Sequence, residues 1–157
     1  MVTGPTRVRL PREREALRKP LGNSALERDM NRRVLSIIIP VLALVDGLVH
    51  LTLDLTVFHG HFTQNTLSEL FLLNFLGYVG LIVVFLLISN ASATWRSALD
   101  VLMIVYAAVT FYEWLSRGGP NPMGLAYVAK PAEILLVIAL VAHVLELRGS
   151  EAPGIAV

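Results

Sequence analysis

The chain has 157 residues, 55% of them apolar, no cysteine and a net charge of only +1, with a mean hydropathy of +0.64. That composition excludes an ordinary water-soluble domain and places the chain among membrane proteins. The lack of cysteine excludes disulfides, thiolate metal sites, iron–sulfur clusters, covalent c-type haem and thiol redox chemistry.

The small net charge hides an asymmetry. The first 33 residues carry nine of the 13 basic groups against four acids, and the rest of the chain carries four basic and eight acidic groups. Residues 1–23 read as a flexible basic arm on the cytoplasmic side. Ser24-Ala25-Leu26-Glu27 has the form of a capping box, with Ser24 as N-cap. A helix over 24–55 then runs from a basic juxtamembrane stretch into a first apolar span, 34–55. A cleavable signal peptide does not fit, because the apolar run exceeds the usual ~7–15 residues and no small-residue cleavage site follows it. The span is expected to be a retained anchor. Pro40 lacks a backbone N–H and predicts a kink one turn inside it.

Three further spans follow at 67–88, 97–115 and 125–147. Each has the ~20 residues needed to cross the hydrocarbon core. Unpaired backbone is not tolerated in lipid, so all four are expected to be helices. A polar loop at 59–64, a turn at 89–95 and the Gly118-Gly119-Pro120-Asn121-Pro122 loop connect them. Short connections make successive helices antiparallel neighbours. The expected fold is therefore an all-α integral membrane protein: a four-transmembrane-helix antiparallel bundle over 24–148, with a flexible tail at 149–157.

Orientation follows from charge. With both termini inside, the nine N-terminal basic residues, Arg96 and Arg148 face the cytoplasm, while only Arg117 and Lys130 face outward. The positive-inside rule then gives N-in, C-in in the plasma (inner) membrane of a prokaryote. Trp95 falls at the inner boundary, and Tyr112, Trp114 and Tyr127 fall near the outer one. Arg28, Arg32 and Arg33 are candidates to contact anionic lipid headgroups, at ~1 kcal/mol each near the surface, besides serving as a topology signal. The basic arm has no aromatic residue to stack bases and no recognisable binding motif, so no nucleic-acid partner is expected.

The chemistry-bearing residues lie inside the spans. Asp46, His50 and Asp54 are four residues apart, so they line one side of a helix with a drift of roughly 40° per step. Ionisable groups at membrane depth are expensive, which makes them a functional-site hypothesis. From the ~1.5 Å rise per residue, Asp46 lies near the centre of its span, His50 ~8 Å and Asp54 ~14 Å toward the outside. Asp54 is thus expected to be near enough to the outer boundary to be solvated. Asn74 and Glu69 on the second helix, Glu113 on the third and Glu133 on the fourth also fall in the outer half. Tyr106, Thr110 and Glu113 share one side of the third helix.

Two readings of this cluster compete. In one, His50 with Asp46 or Asp54, and Glu113 or Glu133, binds a divalent metal ion or relays protons. Imidazole plus carboxylate suits zinc, iron, manganese or copper(II). His59 and His61, flanking Gly60 in the outer loop, are weaker loop candidates together with Glu69. In the other, the polar groups are interhelical glue, with Lys130 and Glu133 pairing with each other. A second polar pair, Asp100 and His143, is expected in the inner half. His50 and His143 lie on opposite sides of the midplane, which argues against a haem ligated by both. Gly77 and Gly80 mark close helix approach. Asp46-x3-His50 with a later histidine resembles a copper-site pattern in the third subunit of particulate methane and ammonia monooxygenases. This chain is much shorter and its spacing to His59 or His61 differs, so no function is carried over.

No nucleophile–base arrangement, phosphate loop or nucleotide motif is present, which argues against an enzyme. The expectation is a small polytopic membrane protein of non-catalytic type. It would act as a subunit or binding partner of another membrane protein, or of a second copy of itself. The alternative is a metal-binding or proton-coupled protein centred on His50 and Asp46.

Overall fold

The computed structural model of the chain describes residues 21–57 and 66–151. Those residues form four α-helices and no strand: α1 (Leu21–Val57), α2 (Thr66–Leu87), α3 (Ala93–Ser116) and α4 (Ala126–Glu151), with a 3-10 turn at Pro122–Gly124 before α4. All four are long and apolar enough to cross a membrane. The loop holding His59 and His61 lies outside the described residues, as does most of the expected arm and tail.

Three details of the helices differ from the sequence expectation. α1 begins at Leu21, so Ser24 stands inside the helix and does not cap it. α3 begins at Ala93, four residues before the expected start, which brings Arg96 into its first turn. α4 continues to Glu151, through the first three residues of the expected tail. Both α1 and α4 run as single helices through an internal proline, Pro40 and Pro131. At 37 residues, α1 is roughly 55 Å long, well beyond the ~30 Å of a hydrocarbon core. The stretch of it long and apolar enough to cross a membrane starts at Asp29.

α1 packs along both α2 and α4, and α4 along α3; contact between α2 and α3 is much sparser. The main core joins Ile39 and Ala43 of α1, Tyr78 and Phe85 of α2, Leu99 and Met103 of α3, and Leu136 and Leu140 of α4. A smaller cluster of Val49, Leu53 and Ala129 closes the other end of the α1–α4 contact. Leu44, Leu73, Val105 and Ile138, one from each helix, are exposed. That outward apolar surface is what a lipid solvent requires, and it removes the polar outer face by which a soluble helix reveals its rotation.

Two local devices set the α3–α4 turn. α3 ends in a Schellman motif: Gly118 N–H donates to Leu115 O and Gly119 N–H to Trp114 O. Gly118 takes the left-handed conformation at φ 82° that this cap favours. Trp114 Nε1 then donates to Pro120 O at 2.8 Å, and Asn121 Oδ1 accepts from Ala126 N–H at 2.9 Å, which caps α4. Gly77 meets α3 closely, since a Cβ there would lie 2.0 Å from the Tyr106 hydroxyl. Nothing lies within 4 Å of the corresponding point at Gly80.

Candidate functional site

The i, i+4 step on α1 holds Asp46 and His50 together. His50 Nδ1 donates to the Asp46 backbone oxygen at 2.9 Å, and lies 3.7 Å from Asp46 Oδ2. A proton on Nδ1 leaves Nε2 as the nitrogen with a free lone pair. The His50 ring also packs edge-on against Phe71 of α2, with centroids 5.6 Å apart.

α4 supplies the second carboxylate. One ligand-type atom each from Asp46, His50 and Glu133 lies within 4.8 Å of the other two, and all three residues are buried. Glu133 is well satisfied: Lys130 Nζ donates to Oε2 at 2.8 Å, and Thr110 Oγ1 on α3 donates to Oε1 at 3.0 Å. Lys130 itself is only 8% exposed. Its ammonium sits 5.7 Å from the centre of the Phe111 ring and 5.4 Å from that of Trp114.

Asp46 is different. It is 0% exposed, and neither carboxylate oxygen has a hydrogen-bond partner among the described residues. Glu133, Lys130 and Tyr78 are close enough to act on it electrostatically, yet the buried Tyr78 hydroxyl makes no hydrogen bond of regular geometry. Two carboxyl groups, one ammonium and one imidazole thus share a buried interior, and the Asp46 carboxyl has no donor of regular geometry among the described residues. Glu133 also lines an open groove of about 320 Å³ between α3 and α4, walled by Ala107, Ala108, Phe111 and Ile134.

Not every expected residue joins this cluster. Glu113 turns outward with its side chain 51% exposed and pairs with Arg117 at 3.3 Å; Thr110, one turn away, faces Glu133 instead. Asp54 is fully buried rather than solvated, because Ser68 of α2 covers it and donates its hydroxyl to Oδ1. Depth along a helix says nothing about shielding by a neighbouring helix. Asp54 therefore forms its own α1–α2 contact, outside the trio. Glu69 is exposed in the first turn of α2. Lys130, read in the sequence only as an outer-side charge or a partner of Glu133, is an integral part of the centre.

The end of the bundle nearer the start of α3 and the end of α4 holds the second polar set. His143 Nδ1 and Asp100 Oδ2 are 2.8 Å apart, and both residues are 0% exposed. Arg96 Nη2 lies 3.1 Å from His143 Nε2. A guanidinium only donates, so Nε2 accepts, and the ring proton sits on Nδ1 and is donated to Asp100. Of the basic residues expected near headgroups, Arg33 is exposed and Arg32 is half-buried, while the side chain of Arg28 lies outside the described residues.

Residues 22–145 match a family of unknown function (DUF7475). The chain belongs to that family. The matched stretch takes in the whole Asp46–His50–Lys130–Glu133 centre and the Asp100–His143 pair. No curated protein and no solved structure matches the chain.

Proposed function

We propose that this DUF7475 member is a multi-pass protein of a prokaryotic plasma membrane that binds a divalent transition-metal cation at Asp46, His50 and Glu133. In this reading the helices form an antiparallel bundle with both termini in the cytoplasm. The observation that carries it is the Asp46 carboxylate, fully buried with both oxygens unpartnered, beside an imidazole and a second carboxylate. A buried carboxyl group with no donor of regular geometry is costly, and a cation held between Asp46 and Glu133 would satisfy its oxygens. One imidazole and two carboxylates suit zinc, manganese or iron(II). Bonds of ~2.0–2.2 Å place ligand atoms ~3.4 Å apart around a tetrahedral ion, so the 4.8 Å cluster would contract around the ion, with His50 ligating through Nε2. The Nδ1–H bond to a backbone carbonyl is the outer contact that orients a ligating imidazole.

The test is metal content. Protein purified in detergent, loaded with Zn²⁺ or Co²⁺ and desalted should retain one equivalent. Asp46→Asn and Glu133→Gln should each reduce retention at least tenfold. Less than a tenth of an equivalent in the unaltered protein, with no Co²⁺ ligand-field bands, sinks the metal reading. If Asp46→Asn then abolishes proton flux in liposomes, the same cluster serves a proton instead.

A second reading, a non-catalytic subunit in a membrane complex, is favoured by a different observation. Most of the buried polar groups are used between helices: Asp54 with Ser68, Thr110 with Glu133, and Asp100 with His143. Interhelical bonds of this kind order a bundle without any ligand. That reading expects reproducible co-purification with another membrane protein, and recovery as a lone monomer under mild extraction counts against it.

A further inference from the structure

We propose that the recess between the inner ends of α1, α2 and α3 is a binding site for the phosphate group of an anionic lipid, held by Arg96. The site is separate from the Asp46 centre and does not depend on it. Arg96 and Ser89 line a small recess of about 60 Å³ together with Ser36, Phe85, Leu86 and Ile88.

Three observations converge there. First, Arg32 lies close enough to Arg96 for their like charges to act on each other. Among the described residues no carboxylate stands at ion-pair distance from either. The Arg32 Nε is buried with no hydrogen-bond partner. The Asp100 carboxylate also acts on Arg96, but it stands outside ion-pair distance, and a phosphate beside Arg96 adds the charge-assisted contact that the guanidinium lacks.

Second, Arg96 is aimed. The nearest acid on its own helix, Asp100, is engaged by His143 at 2.8 Å, and His143 Nε2 accepts from Arg96 Nη2. That chain anchors one edge of the guanidinium and leaves its remaining N–H groups for a ligand. Asp100 and His143 are thus positioning residues.

Third, the walls are mixed. Ser36 is occupied as a donor to Arg32 O at 2.8 Å, whereas Ser89 is exposed at the rim. Phe85, Leu86 and Ile88 supply an apolar side continuous with the membrane-facing surface of α2. A free phosphate has no use for that side, and an acyl chain does. Trp95, 70% exposed beside Arg96, is the residue type found at headgroup level.

The test is lipid retention by the full chain, read by native mass spectrometry from nanodiscs of phosphatidylcholine with and without phosphatidylglycerol. The unaltered protein should retain phosphatidylglycerol over phosphatidylcholine. Arg96→Gln should lower that preference about tenfold, the size expected for losing a charged hydrogen bond. Ser89→Asp, which sets a negative charge at the rim without touching the core, should lower it as well. Arg148→Gln, an exposed basic residue elsewhere, should leave it unchanged. His143→Phe should lower the ratio and His143→Gln, whose amide oxygen can still accept from Arg96, should restore part of it; a merely structural role would not split the two. A parallel arm titrates inorganic phosphate into protein in pure phosphatidylcholine. Saturable stabilisation there, lost in Arg96→Gln, together with no phosphatidylglycerol preference, would overturn the lipid assignment in favour of free phosphate. Equal loss in Arg96→Gln and Arg148→Gln, or no preference and no phosphate effect, overturns the site.

Discussion

Removing one member of the Lys130–Glu133 pair should destabilise the protein far more than removing both. Glu133→Gln keeps an acceptor for Thr110 at Oε1 and removes only the charge facing Lys130 at 2.8 Å. Breaking a buried ion pair from one side costs about 3–5 kcal/mol. At ~2–4 °C per kcal/mol for a chain of this size, the loss in Tm is about 6–20 °C. Asp46, which also feels Lys130, and the ring faces of Phe111 and Trp114 hold the effect toward the lower end. Lys130→Met should cost a similar amount, because it leaves Asp46 and Glu133 facing each other with no ammonium. The double variant Lys130→Met/Glu133→Gln should recover most of the loss, since well-packed neutral replacements of buried pairs are often neutral or stabilising. Thermal unfolding in one fixed detergent, followed by circular dichroism, gives the coupling energy directly. The reasoning fails if Glu133→Gln shifts Tm by less than about 2 °C, or if the double variant falls by the sum of the singles.

Other perturbations have distinct expected outcomes. Gly77→Ala pushes the Tyr106 hydroxyl off α2 and should cost about 1–3 kcal/mol, as overpacking does, whereas Gly80→Ala should be neutral or slightly stabilising; equal Tm values for the two would contradict the close approach. Gly118→Ala puts a Cβ into the left-handed cap of α3 and should cost about 1–2 kcal/mol, with no change in metal or lipid retention. Asn121→Ala removes the cap of α4 and should cost about 0.5–2 kcal/mol, visible as faster amide exchange confined to the first turn of that helix.

The four helices were legible because a span of about twenty apolar residues has only one solution in lipid. The pairing of Asp46 with His50 was legible from spacing alone, and Asp100 with His143 from matching depth. What spacing does not carry is how each helix is rotated about its axis. Thr110 and Glu113 share one side of α3, so spacing alone does not decide which of them faces α4; packing chose Thr110, and Glu113 went to Arg117. Lys130 was counted as an outer charge because lysine in a loop-proximal turn is usually solvated. Its burial depends on Phe111 and Trp114, which arrive from another helix. Arg96 presents the same difficulty: its partner, His143, is 47 residues away.

The uneven packing of the four helices has a mechanical consequence. α1 and α4 each lie along two neighbours, but α2 and α3 barely meet. Across that seam the Tyr106 ring stands edge-on to Tyr78 at 5.1 Å, and its hydroxyl donates to Asn74 O at 3.3 Å. Tyr106 is therefore the fastener of the weakest side. A separation of α2 from α3 would break little besides these Tyr106 contacts, and it would uncover Tyr78, beside the unpartnered Asp46.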